Sequence, residues 1–312
     1  MKLTLGPIPF LWDKDSILSF YKEISATPVS VVYVGEVICS KRTTLSIETL
    51  KTIGRMLQDA GKEVVISTLG LITNQEELAL IEDLFTLPYA IEANNIGVLN
   101  KCDGRDVIGG PHLAIYNAPT AEYLAGMGLK RIVFMPELNS NIIESISRSV
   151  PSVEKEVIGF GNLPLAFSWR CYTARALEMS KSNCAVICKN YPDGMPIETM
   201  DKMPLFNING TQLMSAQKVC LIGQHDRLEE AGITYFRIIP QARNTSDIIN
   251  IVLGIMKGTI SYPKALEALM RYAPEGISNG WFFGQAGWEY VDQESVTAGS
   301  SQASRHSIPH HH

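Results

Sequence analysis

Val29-Ser-Val-Val-Tyr-Val-Gly35 is the stretch that decides the fold. It is a nearly continuous apolar, β-branched run. A strand with one wet face alternates apolar and polar residues, whereas a run of this kind is buried on both faces, as strands of a parallel sheet are. Outward from it, residues 2–6 alternate and read as a first strand, and Asp15 can cap a helix over 16–25. After it come a helix over 46–60 ended by Gly61, a strand at 63–68, and a helix from Asn74 through Phe85. Gln75, Glu76 and Glu77 suit the positive N-terminal end of that last helix. The rhythm continues with strands at 90–92, 112–116, 131–135 and 154–159 and helices at 96–101, 120–125 and 140–149. It resumes later with strands at 218–222 and 235–239 and helices at 226–231 and 245–257. About eight or nine strands alternating with helices imply a parallel sheet. A (β/α)8 TIM-barrel-like fold is the expectation, with an open doubly wound sheet as the alternative. No Gly-rich nucleotide fingerprint follows the first strand.

The rhythm breaks between about 161 and 210. That segment carries many helix and strand breakers and three of the chain's six cysteines, and it reads as an insertion. Residues 171–194, CYTARALEMSKSNCAVICKNYPDG, hold Cys171, Cys184 and Cys188, with twelve residues and then three between successive thiols. The short second gap lets two thiolates meet one ion with little loop-closure cost. Thiolates are soft ligands that suit zinc or iron–sulfur clusters, and a closed site needs four. Cys39 is the candidate for the fourth. In a barrel, chemistry sits at the C-terminal ends of the strands. Cys39 follows the second strand and Cys171 the strand at 154–159, so the two can share one rim. The competing readings are three buried thiols and a structural zinc cage. Cys102 and Cys220 read as structural, and Cys220 lies inside an apolar run. His112 reads as a core or rim histidine, Glu36 as a rim acid, and Tyr191-Pro-Asp-Gly194 as a turn.

The totals narrow the function. The chain has 312 residues and is 46% hydrophobic, enough for one large core. Residues 1–292 read as the barrel domain with its insertion at about 161–210, and residues 293–312 as a disordered tail. The three terminal histidines carry no functional weight. A net charge of −5 argues against a nucleic-acid partner. No apolar run approaches the roughly 18 residues of a spanning helix. Gly6, Pro7 and Pro9 interrupt the N-terminus, which lacks a signal-peptide pattern, so the expected compartment is the cytoplasm, where thiols stay reduced.

The stretch Glu156-Val-Ile-Gly-Phe-Gly161-Asn-Leu-Pro164-Leu-Ala-Phe-Ser168-Trp-Arg-Cys171 resembles the signature of the peptidase U32 family. That signature has a glutamate, a glycine, a cysteine, an aromatic–serine pair and a second cysteine. Pro164 stands where many members carry the first cysteine. Gly35-Glu-Val-Ile-Cys39-Ser-Lys-Arg42, Ser67-Thr-Leu69, Ile91-Glu-Ala93, Tyr116-Asn-Ala118, Tyr191-Pro-Asp-Gly194 and Asn209-Gly210 agree with it, so the resemblance runs from about Lys2 to Trp281. It implies a [4Fe-4S] cluster on Cys39, Cys171, Cys184 and Cys188. It also implies a heterodimer with a UbiU-like subunit, a lipid-binding accessory protein, and a role in hydroxylating the ubiquinone ring without O2. Cys39 then replaces the thiol missing at 164. The alternative is a non-catalytic iron–sulfur or zinc scaffold for a catalytic partner. No Ser-His-Asp order and no His-Glu-x-x-His motif supports peptidase chemistry.

Overall fold

A computed structural model, which describes residues 1–102 and 104–292, puts the apolar runs side by side in one ring. Its strands are β1 (Lys2–Leu5), β2 (Val31–Val34), β3 (Glu63–Ser67), β4 (Ala90–Ala93), β5 (Val107–Gly109), β6 (Leu129–Val133), β7 (Glu154–Phe167), β8 (Met195–Glu198), β9 (Pro204–Asn209), β10 (Gln212–Cys220), β11 (Tyr235–Ile238) and β12 (Ile277–Ser278). β1 through β7 pair in sequence order, all parallel, and β11 pairs in parallel with both β1 and β7. Closure by β11 makes an eight-stranded (β/α)8 barrel and discards the open-sheet alternative. The residue 293–312 tail lies outside the described residues. No helix among the described residues is long and apolar enough to cross a membrane.

Helices start where a short polar side chain can take an orphan backbone N–H. Asp13, Ser46, Asn74, Asn117 and Asn139 accept from the N–H of Ser16, Thr49, Glu77, Thr120 and Ile142. Each such cap is worth about 1 kcal/mol. Asp13, not Asp15, is the first cap, and Asp15 falls within the first turn of the helix it was expected to start.

Two strand expectations fail for local reasons. The fifth strand is Val107–Gly109; His112 lies in a single 3-10 turn, Pro111–Leu113. Pro111 has no N–H to give a ladder, so the chain turns there despite the alternation that follows. The run at 218–222 is not a barrel strand. It belongs largely to β10, which runs antiparallel to β7. β7 outlasts the barrel, and past Gly161 (φ +124°) it pairs only with β10. β9 and β8 extend this antiparallel ribbon, and β12 adds to β10 in parallel. The segment read as an insertion is thus a platform grown from a barrel strand.

Gly35 ends β2 where the chain passes β3. A Cβ there would stand 2.1 Å from the Ser67 carbonyl oxygen, at φ +155°. Gly35→Ala is expected to lower stability by about 1–3 kcal/mol, the usual range for overpacking. The urea midpoint should fall at unchanged slope.

Candidate functional site at the cysteine loop and the barrel mouth

The chain leaving β2 turns sharply because Glu36 Oε1 accepts the backbone N–H groups of Ile38 (2.8 Å) and Cys39 (3.1 Å). This fixes Cys39 at the C-terminal rim. Arg42 then reaches back, 4% exposed, donating from Nη1 to the Pro9 carbonyl (2.8 Å) and from Nη2 to Asn209 Oδ1 (2.7 Å). Thr211 Oγ1 donates to the Ile38 carbonyl (2.7 Å), and Lys41 Nζ to the Lys181 and Ser182 carbonyls (2.6 and 3.3 Å). Lys41, Arg42 and Thr211 thus tie the Cys39 loop to the ribbon and to the cysteine loop that it carries.

Within that loop, Cys171 Sγ caps the short helix Tyr172–Ala176, accepting from Ala174 N–H at 3.4 Å. Cys171 and Cys184 pack with Ala174 into a buried cluster separate from the main core, with Met179 at its edge. Cys188 lies in the 3-10 turn Ile187–Asn190 and, like Cys39, is half-buried. All six cysteines are free. Burial pushes the Cys39 thiol up and the Glu36 charge adds to this, while the Lys41 backbone N–H and the Arg42 and Lys181 charges act against it. Burial also pushes Cys188 up, against the Arg42 charge and with help from Cys171 and Glu36. Arg42 and Glu36 therefore act on both thiols, which places Cys39, Cys171 and Cys188 in one electrostatic neighbourhood. The sulfurs are not gathered into a closed cage: among the described residues no group of three or more His, Cys, Asp or Glu is arranged to hold a metal ion. Arg42 Nε is buried with no hydrogen-bond partner among them.

Cys102 and Cys220 lie in the main core, away from the cysteine loop's own cluster. Cys102 donates to the Val98 carbonyl (3.2 Å) in the main core, and Cys220 is 2% exposed, its thiol pushed up to about 12 by burial. The Tyr191–Gly194 turn is pinned from both sides: Trp12 Nε1 donates to the Pro192 carbonyl (2.7 Å), and Asp193 Oδ1 accepts from Ala242 N–H (2.8 Å).

A second polar centre fills the barrel interior, built in part from Glu156 and Glu92, which stand in two of the family-like stretches quoted above. Arg237 on β11 donates to Glu92 Oε1 on β4 and to Glu156 Oε1 on β7, each at 2.7 Å. Glu156 also accepts from Thr4 Oγ1 on β1 (2.6 Å) and from the Tyr33 hydroxyl on β2 (2.5 Å). Arg131 on β6 donates to Tyr33 (3.0 Å), and Ser67 on β3 to Glu92 Oε2 (2.6 Å). Burial alone would push the Glu156 carboxyl up, but Arg237 and Arg131 hold it below the usual range. The sequence signal was a charge in mid-strand, where both strand faces are buried and no water can pair it.

The peptidase family U32 model matches residues 19–291. The chain belongs to peptidase family U32. Among solved structures it is similar to the U32 peptidase Mk0906, at 13% identity over 77% of this chain and 93% of that one, with a TM-score of 0.45. It is also similar to dihydropteroate synthase from Thermus thermophilus (11% identity, 83% and 94% covered, TM-score 0.42). Thiamine phosphate pyrophosphorylase from Pyrococcus furiosus is a third such neighbour (7% identity, 83% and 97% covered, TM-score 0.42).

In this U32 barrel His112 packs edge-on against Phe167, ring centroids 4.5 Å apart. Burial, and then the Arg237 charge, push it down to about 3. In the unfolded chain the imidazole takes its proton near its ordinary 6.5, so acid favours unfolding from about pH 6.5 down to about 3. At about 1.4 kcal/mol per pH unit, the fall in stability between pH 7 and 5 should be smaller in His112→Gln by roughly 2 kcal/mol. Urea melts of both proteins at the two pH values measure the difference.

Proposed function

We propose that this U32 protein is of the UbiV type. It is a cytoplasmic [4Fe-4S] subunit that pairs with a UbiU-like subunit in O2-independent hydroxylation of the aromatic ring of ubiquinone precursors, with a lipid-binding accessory protein as a further partner. The observation that supports this most is the tie between the Cys39 loop and the loop of Cys171, Cys184 and Cys188, through Lys41, Arg42 and Thr211. Cys39 and Cys188, distant in sequence, both feel one buried guanidinium.

The donor set fits such a group chemically. Four thiols are soft, deprotonate on metal binding, and leave a thiolate-held centre with excess negative charge. Arg42, with its unpartnered Nε, supplies an offsetting positive charge and a hydrogen-bond donor. Glu36 keeps Cys39 at the rim by holding its N–H. A cluster ligated by four cysteines has no open iron, so it would supply electron transfer rather than substrate ligation.

The protein purified without oxygen should be brown, carry about four irons and matching sulfide per chain, and give an EPR signal on reduction. A colourless protein holding one zinc, or one that takes up no iron after anaerobic reconstitution, would overturn the reading.

A further inference from the structure

The ribbon strand β10 turns a lysine inward. Its register with β7 slips between Met214 and Lys218, a bulge of the kind that re-aims a side chain, and Lys218 comes to lie opposite Asn162 on β7 and Ile277 on β12. Lys218 is 8% exposed, and its Nζ donates to Asn162 Oδ1 at 3.1 Å. Asn162 Nδ2 is committed to the Ser215 and Ala216 carbonyls (2.9 and 3.0 Å), so that side chain offers the amine only its neutral oxygen. Both residues line a cavity of about 490 Å³, inside the roughly 300–1,000 Å³ typical of ligand sites. Gln241 and Arg243, from the loop after β11, form part of its wall. The cavity thus lies on the C-terminal side of β11, the face where barrel chemistry sits.

Charge sets what the amine is. A buried lysine is normally paired with a carboxylate, yet Lys218 makes no ion pair among the described residues. The charged and titratable groups around the cavity are Asp193, Glu198, Arg243, Arg271, Tyr272 and Glu275. Glu198 pairs with Lys202 and Arg271 with Glu267, while Asp193 accepts from Ala242 N–H. Burial pushes the Lys218 ammonium down from its ordinary value, against the Glu275 and Asp193 charges. A desolvated amine with no carboxylate beside it is suited to act as a nucleophile. We propose that Lys218 Nζ is the nucleophile of a second site on this chain, one that captures a small aldehyde or ketone as an imine. The nitrogen lone pair bonds to the carbonyl carbon as the C=O π pair moves to oxygen. Both N–H protons then leave with that oxygen as water, and the C=N bond remains, so the step needs no oxidant or reductant. The site uses none of the thiols, so it stands whether or not the cysteines hold a cluster.

The test treats the full chain with limiting propanal and sodium cyanoborohydride from about pH 6 to about pH 9, and peptide mass spectrometry follows the label at each lysine. Hydride from the reagent reduces the imine and leaves a propyl group where it formed. Exposed Lys22, Lys257 and Lys264 serve as references. Near neutral pH, Lys218 should be labelled about tenfold faster than any of them, and its rate should level off at a lower pH, because its amine is neutral where theirs are still protonated. Asn162→Asp puts a carboxylate beside the amine and favours the ammonium, so labelling at Lys218 should fall to the reference rate. Circular dichroism checks that this variant is folded, and the wild type decides alone if it is not. Labelling at Lys218 no faster than at the references, a pH profile that matches theirs, or unchanged labelling in folded Asn162→Asp would each overturn the proposal.

Discussion

Arg237→Leu should cost about 3–5 kcal/mol, the usual range when one partner of a buried ion pair is removed. The guanidinium is 1% exposed, stands 3.9 Å over the Tyr33 ring, and is the shared partner of Glu92 and Glu156, themselves 1% and 0% exposed. Leucine would leave two carboxylates facing each other in a dry interior, where each must take up a proton or drag in water. Against a total stability of about 5–15 kcal/mol, the protein should melt far below the wild type or accumulate insoluble. The sharper arm of the experiment adds Glu92→Gln and Glu156→Gln to the same chain. Removing the stranded charges should recover part of the loss, because the penalty comes from uncompensated charge and not from missing contacts. Wild-type melting of Arg237→Leu would show that the centre contributes nothing to the fold.

On the proposed cluster assignment, single alanine substitutions at Cys39, Cys171, Cys184 and Cys188 should each strip the iron from anaerobically prepared protein, while Cys102→Ala and Cys220→Ala should keep it. The contrast controls for folding. Cys102 and Cys220 sit in the main core, so their loss should reduce stability by the cost of a small cavity without touching the metal. Cys39 and Cys188 are half-buried, and Cys171 and Cys184 belong to a small satellite cluster, so their loss should be mild for stability and severe for iron. Iron analysis beside a thermal melt separates the two effects. Full iron in Cys39→Ala would break the ligand assignment at its most distant member.

Much of the barrel was legible because parallel strands must be apolar on both faces. That requirement wrote 29–35 and its counterparts into the sequence, and Ser, Asn and Asp caps marked helix starts. What misled was pattern without context. The segment from His112 alternates like a strand, yet Pro111 breaks the ladder first. Residues 218–222 are as apolar as a barrel strand because they are sandwiched between β7 and β12, outside the ring. The cysteine loop was legible as ligand chemistry, but its tie to Cys39 runs through Lys41, Arg42 and Thr211, and no spacing rule reveals such long-range bonds. The charges at 92, 131, 156 and 237 are each visible as a charge in mid-strand, but they meet only after closure, so nothing local in the sequence says which pairs with which.

That closure sets an order of events. β1 is made first, yet one of its two neighbours, β11, is not synthesised until residue 235. Until then Glu92 lacks its cation and Glu156 has only Arg131, so the growing chain carries an open seam with an unmatched acid. A ribosome-bound or truncated chain ending before Tyr235 should therefore stay loose and protease-sensitive, and folding of the finished chain should be slow, waiting on a pairing between its two ends.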